Sequence, residues 1–74
     1  MMEEYKKRFI TEYKELEDRL TKLQRIIERF KDGTLDFTPD TPIEILEMQA
    51  HYMKQYLYCL KRRCIYEHIK IEED

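Results

Sequence analysis

The stretch FITEYKELEDRLTKLQRIIERF, residues 9–30, decides the fold. Within it, Phe9, Tyr13, Leu16, Leu20, Leu23, Ile27 and Phe30 recur at alternating four- and three-residue steps. That spacing lines one stripe of an α-helix over about six turns. A stripe of that length cannot stay wet, so the helix needs a partner. Helix formers fill the rest of it, and its interior holds no Gly or Pro. Glu15–Arg19 and Asp18–Lys22 stand at the favourable four-residue spacing. The spacing predicts a first helix over about residues 3–31. Asp32-Gly33 ends it, with Gly33 free to take the left-handed cap conformation.

Residues 32–41 read as a loop in which Leu35 and Phe37 fold back over the open end of the pair. Thr41-Pro42-Ile43-Glu44 then opens a second helix over about residues 42–66. Thr41 is expected as N-cap, Pro42 at the first helical position and Glu44 as the return half of a capping box. A loop this short makes the two helices antiparallel. The fold class is therefore all-α, an antiparallel helical hairpin of two long helices. Residues 1–74 form one domain with a short tail over 67–74.

The second helix carries more apolar surface than one partner covers. Leu46, Ala50, Met53, Leu57, Leu60 and Cys64 form one stripe, and Ile45, Met48, Tyr52, Tyr56 and Cys59 a second beside it. One stripe faces the first helix; the other predicts burial between subunits. A 74-residue chain buries little core by itself, which points the same way. In the tail, Ile69 and Ile71 alternate, as a frayed helical end or an extended segment docked on a neighbour.

Composition excludes several classes of function. Charged residues make up 41% of the chain at a net charge of −2, the mark of long solvated helices rather than a basic arm for long nucleic acid. No run reaches the roughly 18 apolar residues of a membrane span, and MMEEYKKRF lacks a signal-peptide core. A soluble intracellular protein is expected. Cys59 and Cys64 lie five residues apart, about 140° around a helix, which disfavours an intrachain disulfide. His51 and His68 lack a carboxylate in ligand spacing, so no metal or other cofactor is expected. Without serine, a Gly-rich phosphate loop or a nucleophile–base arrangement, the chain does not read as an enzyme.

Aromatics and cations are the chemistry that remains. Tyr13 and Phe30 fall on the core stripe. Tyr5 instead stands among Lys6, Lys7 and Arg8, where an exposed ring can stack on a base while cations hold phosphate; the plainer reading is a frayed helix start. In an antiparallel hairpin Lys61-Arg62-Arg63 comes to this same end, gathering up to six cations. They suit phosphate, or they balance Glu3, Glu4 and the Glu72-Glu73-Asp74 tail.

Two stretches carry a family resemblance. The first is Arg8-Phe9, Glu12-Tyr13-Lys14-Glu15-Leu16, Arg19-Leu20 and Leu23. The second is Leu46, Gln49, Met53, Tyr56, Leu60 and Arg63. Together, over about residues 8–65, they resemble the small helical-hairpin proteins of bacteriophages, crAss-like phages included. These resemble in turn the hairpin domain of phage sponges that defeat CBASS and Thoeris immunity. The resemblance implies a homohexamer without catalytic residues, in the cytoplasm of an infected bacterial host. It would bind cyclic di- or trinucleotides, or cyclic ADP-ribose isomers, between neighbouring subunits without cleaving them. It implies a ligand-contacting lysine on the first helix, placed at Lys14 by the Glu-x-Lys-x-Leu pattern. The family's base-stacking aromatic lies further upstream than Met1; Tyr5 is the nearest substitute and Phe9 the second. Arg8 accompanies Tyr5, and Arg62 or Arg63 stands in for the arginine of a three-fold pocket. The alternative from the residues themselves is an adaptor hairpin that binds a protein partner through the second apolar stripe.

Overall fold

The structure, a computed structural model, describes residues 2–71. The acidic residues Glu72, Glu73 and Asp74, considered above as counter-charges, lie outside the described residues. Among those described there are two helices and no strand: α1, Met2–Asp32, and α2, Ile43–Tyr66. At 1.5 Å per residue the 31 residues of α1 span about 46 Å. That sets the long dimension of the 46 × 21 × 17 Å molecule.

The helices run antiparallel. Tyr5 meets Glu67, Glu12 meets Tyr56, and Lys31 meets Glu47. The seam is the stripe read from the sequence. Phe9, Tyr13, Leu16 and Leu20 of α1 are buried against Ala50, Leu57 and Leu60 of α2. Leu60 is the most deeply placed side chain, 1% exposed. Leu23, Ile27, Met53 and Cys64 continue the contact in half-buried positions. Both four-residue ion pairs form, Glu15–Arg19 at 3.2 Å and Asp18–Lys22 at 2.9 Å.

Phe30 departs from expectation. It is 42% exposed rather than core. The first turn of α2 is itself only half-covered at Ile43 and Leu46, so the seam tapers here and nothing closes over the ring. Leu35 and Phe37 do not cap this end either. They lie beside Lys22, Arg25, Ile26 and Arg29 on α1, with Leu35 half-buried and Phe37 exposed. The turn that sends them there is a Schellman motif. Gly33, at φ +78°, donates to the Phe30 carbonyl at 3.3 Å, and Thr34 donates to the Arg29 carbonyl at 2.9 Å.

The capping box also fails to form. The N-cap of α2 is Pro42, with ψ 143° and no side-chain cap, and its carbonyl accepts from Leu46 at 3.3 Å. Pro42 itself takes the extended backbone of an N-cap rather than the first helical position, so the helix begins one residue later than Thr41 requires. Ile45, not Glu44, then stands three residues after the cap.

α2 ends in a second Schellman turn, without a glycine. His68 takes φ +54°, and Ile69 N–H donates to the Cys64 carbonyl at 3.0 Å. This reversal returns the tail to its own hairpin. Ile69 is buried in the core and Ile71 packs partly against it, so the segment docks within the chain. Its location has a simple cause: α1 has 31 residues to the 24 of α2, and the tail covers the excess.

Candidate functional site

The end of the hairpin where α1 starts and α2 finishes gathers aromatic rings and charge. Tyr5, Arg8, Phe9, Glu12 and Arg63 line a surface pocket of about 240 Å³. On α1, positions 5, 8, 9 and 12 share one helical face by their three- and four-residue spacing. On α2, Arg63 projects from the last turn onto that face.

Arg63 is the hub. Its guanidinium lies 4.7 Å over the Phe9 ring, a cation–π arrangement. Its Nε donates to Glu67 at 2.6 Å, and its terminal nitrogen also donates to the Tyr5 hydroxyl. The Tyr5 hydroxyl donates in turn to Glu67. Glu67 is therefore held by two donors. The hydrogen bond from Arg63, and after it the one from Tyr5, keeps its carboxyl below the ordinary range. The same carboxylate raises the Tyr5 phenol, chiefly through the hydrogen bond it accepts. Beside this cluster, Tyr56 donates to Glu12 across the helices, and Lys6 Nζ stands 3.5 Å from the His68 carbonyl.

Four of the six residues singled out from the sequence thus meet: Tyr5, Arg8, Phe9 and Arg63. Phe9 is 4% exposed, with Arg63 across it, so its ring faces a guanidinium rather than open solvent. Tyr5, on the rim, keeps an exposed ring 6.4 Å from Phe9. Arg62 points elsewhere, stacking over Tyr66 at 5.7 Å and donating to its hydroxyl at 3.3 Å. Lys14 is exposed and stands apart from the cluster. It follows Glu12 by two residues, about 200° around α1, and so faces the other way. Of the six cations expected at this end, Lys7 pairs with Glu3 at 3.7 Å and Arg63 with Glu67.

Sequence reading missed Glu67, Glu12 and Tyr56 as members of this cluster. The Arg63-x-x-x-Glu67 spacing was available as a signal; the reach of Tyr5 and Tyr56 across the seam depends on register. Among the described residues no three His, Cys, Asp or Glu side chains converge as a metal site would require.

A family model described as Sequestin matches residues 3–65. The chain belongs to the Sequestin family. No curated protein and no solved structure matches it. The matched span takes in nearly all of the hairpin, both helices and the Tyr5–Arg63 end included. Sequestin is a name for a protein that holds something, consistent with the sponge resemblance and with binding rather than catalysis. No helix among the described residues of this Sequestin chain is long and apolar enough to cross a membrane.

Proposed function

We propose that this chain is a phage anti-defence sponge that sequesters host cyclic oligonucleotide immune signals without cleaving them. The ligands are cyclic dinucleotides, with cyclic trinucleotides or cyclic ADP-ribose isomers as further candidates. The site of action is the cytoplasm of the infected bacterial host. Membership of the Sequestin family over residues 3–65 carries the reading. The chemistry supports it: a cyclic dinucleotide presents two flat bases and two phosphates, and Tyr5 with Arg8 and Arg63 offers a ring and cations at one end. A sponge needs stacking, charge and enclosure, and no reacting group.

The hairpin alone gives little enclosure. Lys14 and Tyr5 face opposite ways on α1, so a ligand touching both must lie between two copies. The exposed second stripe of α2, with Ile45, Met48 and Tyr52 each about half exposed or more, is suited to bring copies together. We therefore propose a closed homo-oligomer, a hexamer, with Lys14 of one protomer and Tyr5, Arg8 and Arg63 of its neighbour on the ligand. Phe9 supports Arg63 from beneath, and Arg62 serves a separate three-fold pocket.

Native mass spectrometry tests this with a mixed panel of cyclic di- and trinucleotides and cyclic ADP-ribose isomers. A closed oligomer that gains intact ligand masses is the expected result, with Lys14→Ala lowering occupancy while helix content and subunit number hold. An oligomer that gains nothing favours the second reading, an adaptor hairpin that binds a protein partner through Ile45, Met48 and Tyr52.

A further inference from the structure

The loop end of the hairpin carries a second pocket, far from the Tyr5–Arg63 end. Lys22, Arg25, Ile26 and Arg29 of α1 form one wall, and Leu35, Asp36 and Phe37 of the loop form the other, around a volume of about 290 Å³. Three cations face one carboxylate. The pocket is built rather than incidental: the Schellman turn at Gly33 ties Thr34 and Leu35 to the Arg29 carbonyl, at 2.9 and 3.2 Å, and so folds residues 35–37 back onto α1. Leu35 and Ile26, both half-buried, make an apolar floor.

The charges divide into two kinds. Lys22 is paired with Asp18 at 2.9 Å. Arg25 and Arg29, one turn apart on the same face, have no ion-pair partner among the described residues. Arg29 lies in the last turn of α1, where the helix dipole welcomes a cation; Arg25 lies a turn earlier, where that explanation fades. Phe37 presents an aromatic ring at the rim, 53% exposed, in a loop that nothing in the hairpin core requires to be aromatic.

We infer that this pocket binds a nucleotide: its phosphate at Arg25 and Arg29, its base stacked on Phe37 above Ile26 and Leu35. Two guanidiniums on adjacent turns suit the several oxygens of one phosphate. An exposed ring beside them suits a flat base. The volume is close to the lower bound for small-molecule pockets and matches one nucleotide unit rather than two. Asp36 stands at the rim as an acceptor for ribose hydroxyls. The inference does not depend on the cyclic-nucleotide reading, because the two sites share no residue.

The test is a ¹H–¹⁵N NMR titration of the whole chain with AMP, and in parallel with adenosine and with inorganic phosphate. Shifts should cluster at residues 22–29 and 35–37, and AMP should bind more tightly than either fragment. Phe37→Ala should weaken AMP about fivefold or more, the low end of a lost base–aromatic stack. Arg25→Gln with Arg29→Gln should abolish saturable binding, with helix content by circular dichroism unchanged because all three side chains are exposed. The inference fails if the shifts lie elsewhere, if phosphate alone binds as well as AMP, or if Phe37→Ala binds as wild type does. Shifts confined to residues 5–14 and 62–67 would overturn it and leave the proposed sponge site standing. Loss of cyclic-nucleotide binding would sink the sponge reading without touching this one.

Discussion

Leu60→Ala should cost this hairpin a large part of its stability, whereas Met48→Ala, on the same helix, should cost almost nothing in the isolated protomer. Leu60 is 1% exposed at the centre of the seam, within a cluster that includes Phe9, Tyr13, Leu57 and Ile69. Truncating such a leucine removes its transfer free energy and leaves a cavity, typically about 2–5 kcal/mol. A chain of 74 residues has roughly 4–11 kcal/mol in total, at about 0.05–0.15 per residue. A loss of about 3 kcal/mol lowers the melting temperature by about 12–24 °C in a domain of this size. Met48 is 54% exposed, and a surface change of this kind stays within about 0.5 kcal/mol. If copies of the chain cover that face, however, the Met48→Ala deficit appears only as protein concentration rises, because association stabilises by mass action. Melting followed by circular dichroism at several concentrations separates the two. A Leu60→Ala shift below about 5 °C, too small for a buried leucine, would show that the seam is not the core. An equal loss for Met48→Ala at every concentration would show that the second stripe belongs to the protomer's own packing.

Glu67→Gln should flatten the acid limb of the stability curve. Glu67 has a depressed folded pKa, set first by Arg63 and then by Tyr5. Its contribution is therefore present above the ordinary carboxylate range and lost as pH falls through that range to the lower folded value. Melting temperature against pH, for wild type and variant, reads the difference; parallel acid limbs would contradict the assigned clamp. On the alkaline side Tyr5 has the opposite sign. Its raised phenol favours the folded state below the ordinary tyrosine range and loses that benefit as pH rises through the folded value. His68→Gly should stabilise the hairpin by about 0.5–1 kcal/mol in urea unfolding, since the left-handed penalty is relieved but the unfolded chain gains freedom. A loss instead would mean that the His68 ring contributes more than its backbone strain removes.

The seam was legible because period is a direct consequence of helix geometry. The stripe positions Phe9, Tyr13, Leu16, Leu20, Leu23 and Ile27 lie in it, as do Ala50, Met53, Leu57, Leu60 and Cys64 of the first α2 stripe. The misses fall where geometry depends on more than period. Phe30 fits the spacing, but whether it is covered depends on where α2 begins, and that was set by Pro42 rather than by the better-looking Thr41. Leu35 and Phe37 were recognised as apolar, but their direction follows from the turn at Gly33, which sends them alongside α1. The sequence leaves both readings of the tail open because the reversal turns on a left-handed His68, and histidine, though enriched at positive φ, takes it in only a small share of cases. In the candidate site, topology sufficed to bring Tyr5, Arg8 and Arg63 to one end. It did not reveal that Glu67 already occupies Arg63.

That occupation bears on how such an end would accept an anion. Arg63 is braced on three sides, by the Phe9 ring, Glu67 and the Tyr5 hydroxyl. A phosphate approaching it meets a cation whose charge is already matched, and whose release would cost Tyr5 one of its two polar partners. Arg8, which lines the same pocket, has no ion-pair partner among the described residues. In the proposed sponge the two arginines then divide the work: Arg8 meets the phosphate, and Arg63 holds the Tyr5 hydroxyl and with it the ring. Arg8→Ala should weaken cyclic-nucleotide binding and its salt dependence together. Arg63→Lys keeps the charge but loses the planar fork, and should weaken binding while leaving the salt slope as it was. Calorimetric titrations at several salt concentrations distinguish these roles. If Arg63→Lys changes the slope and Arg8→Ala does not, the assignment is reversed, and Glu67 must swing away from Arg63 when ligand binds.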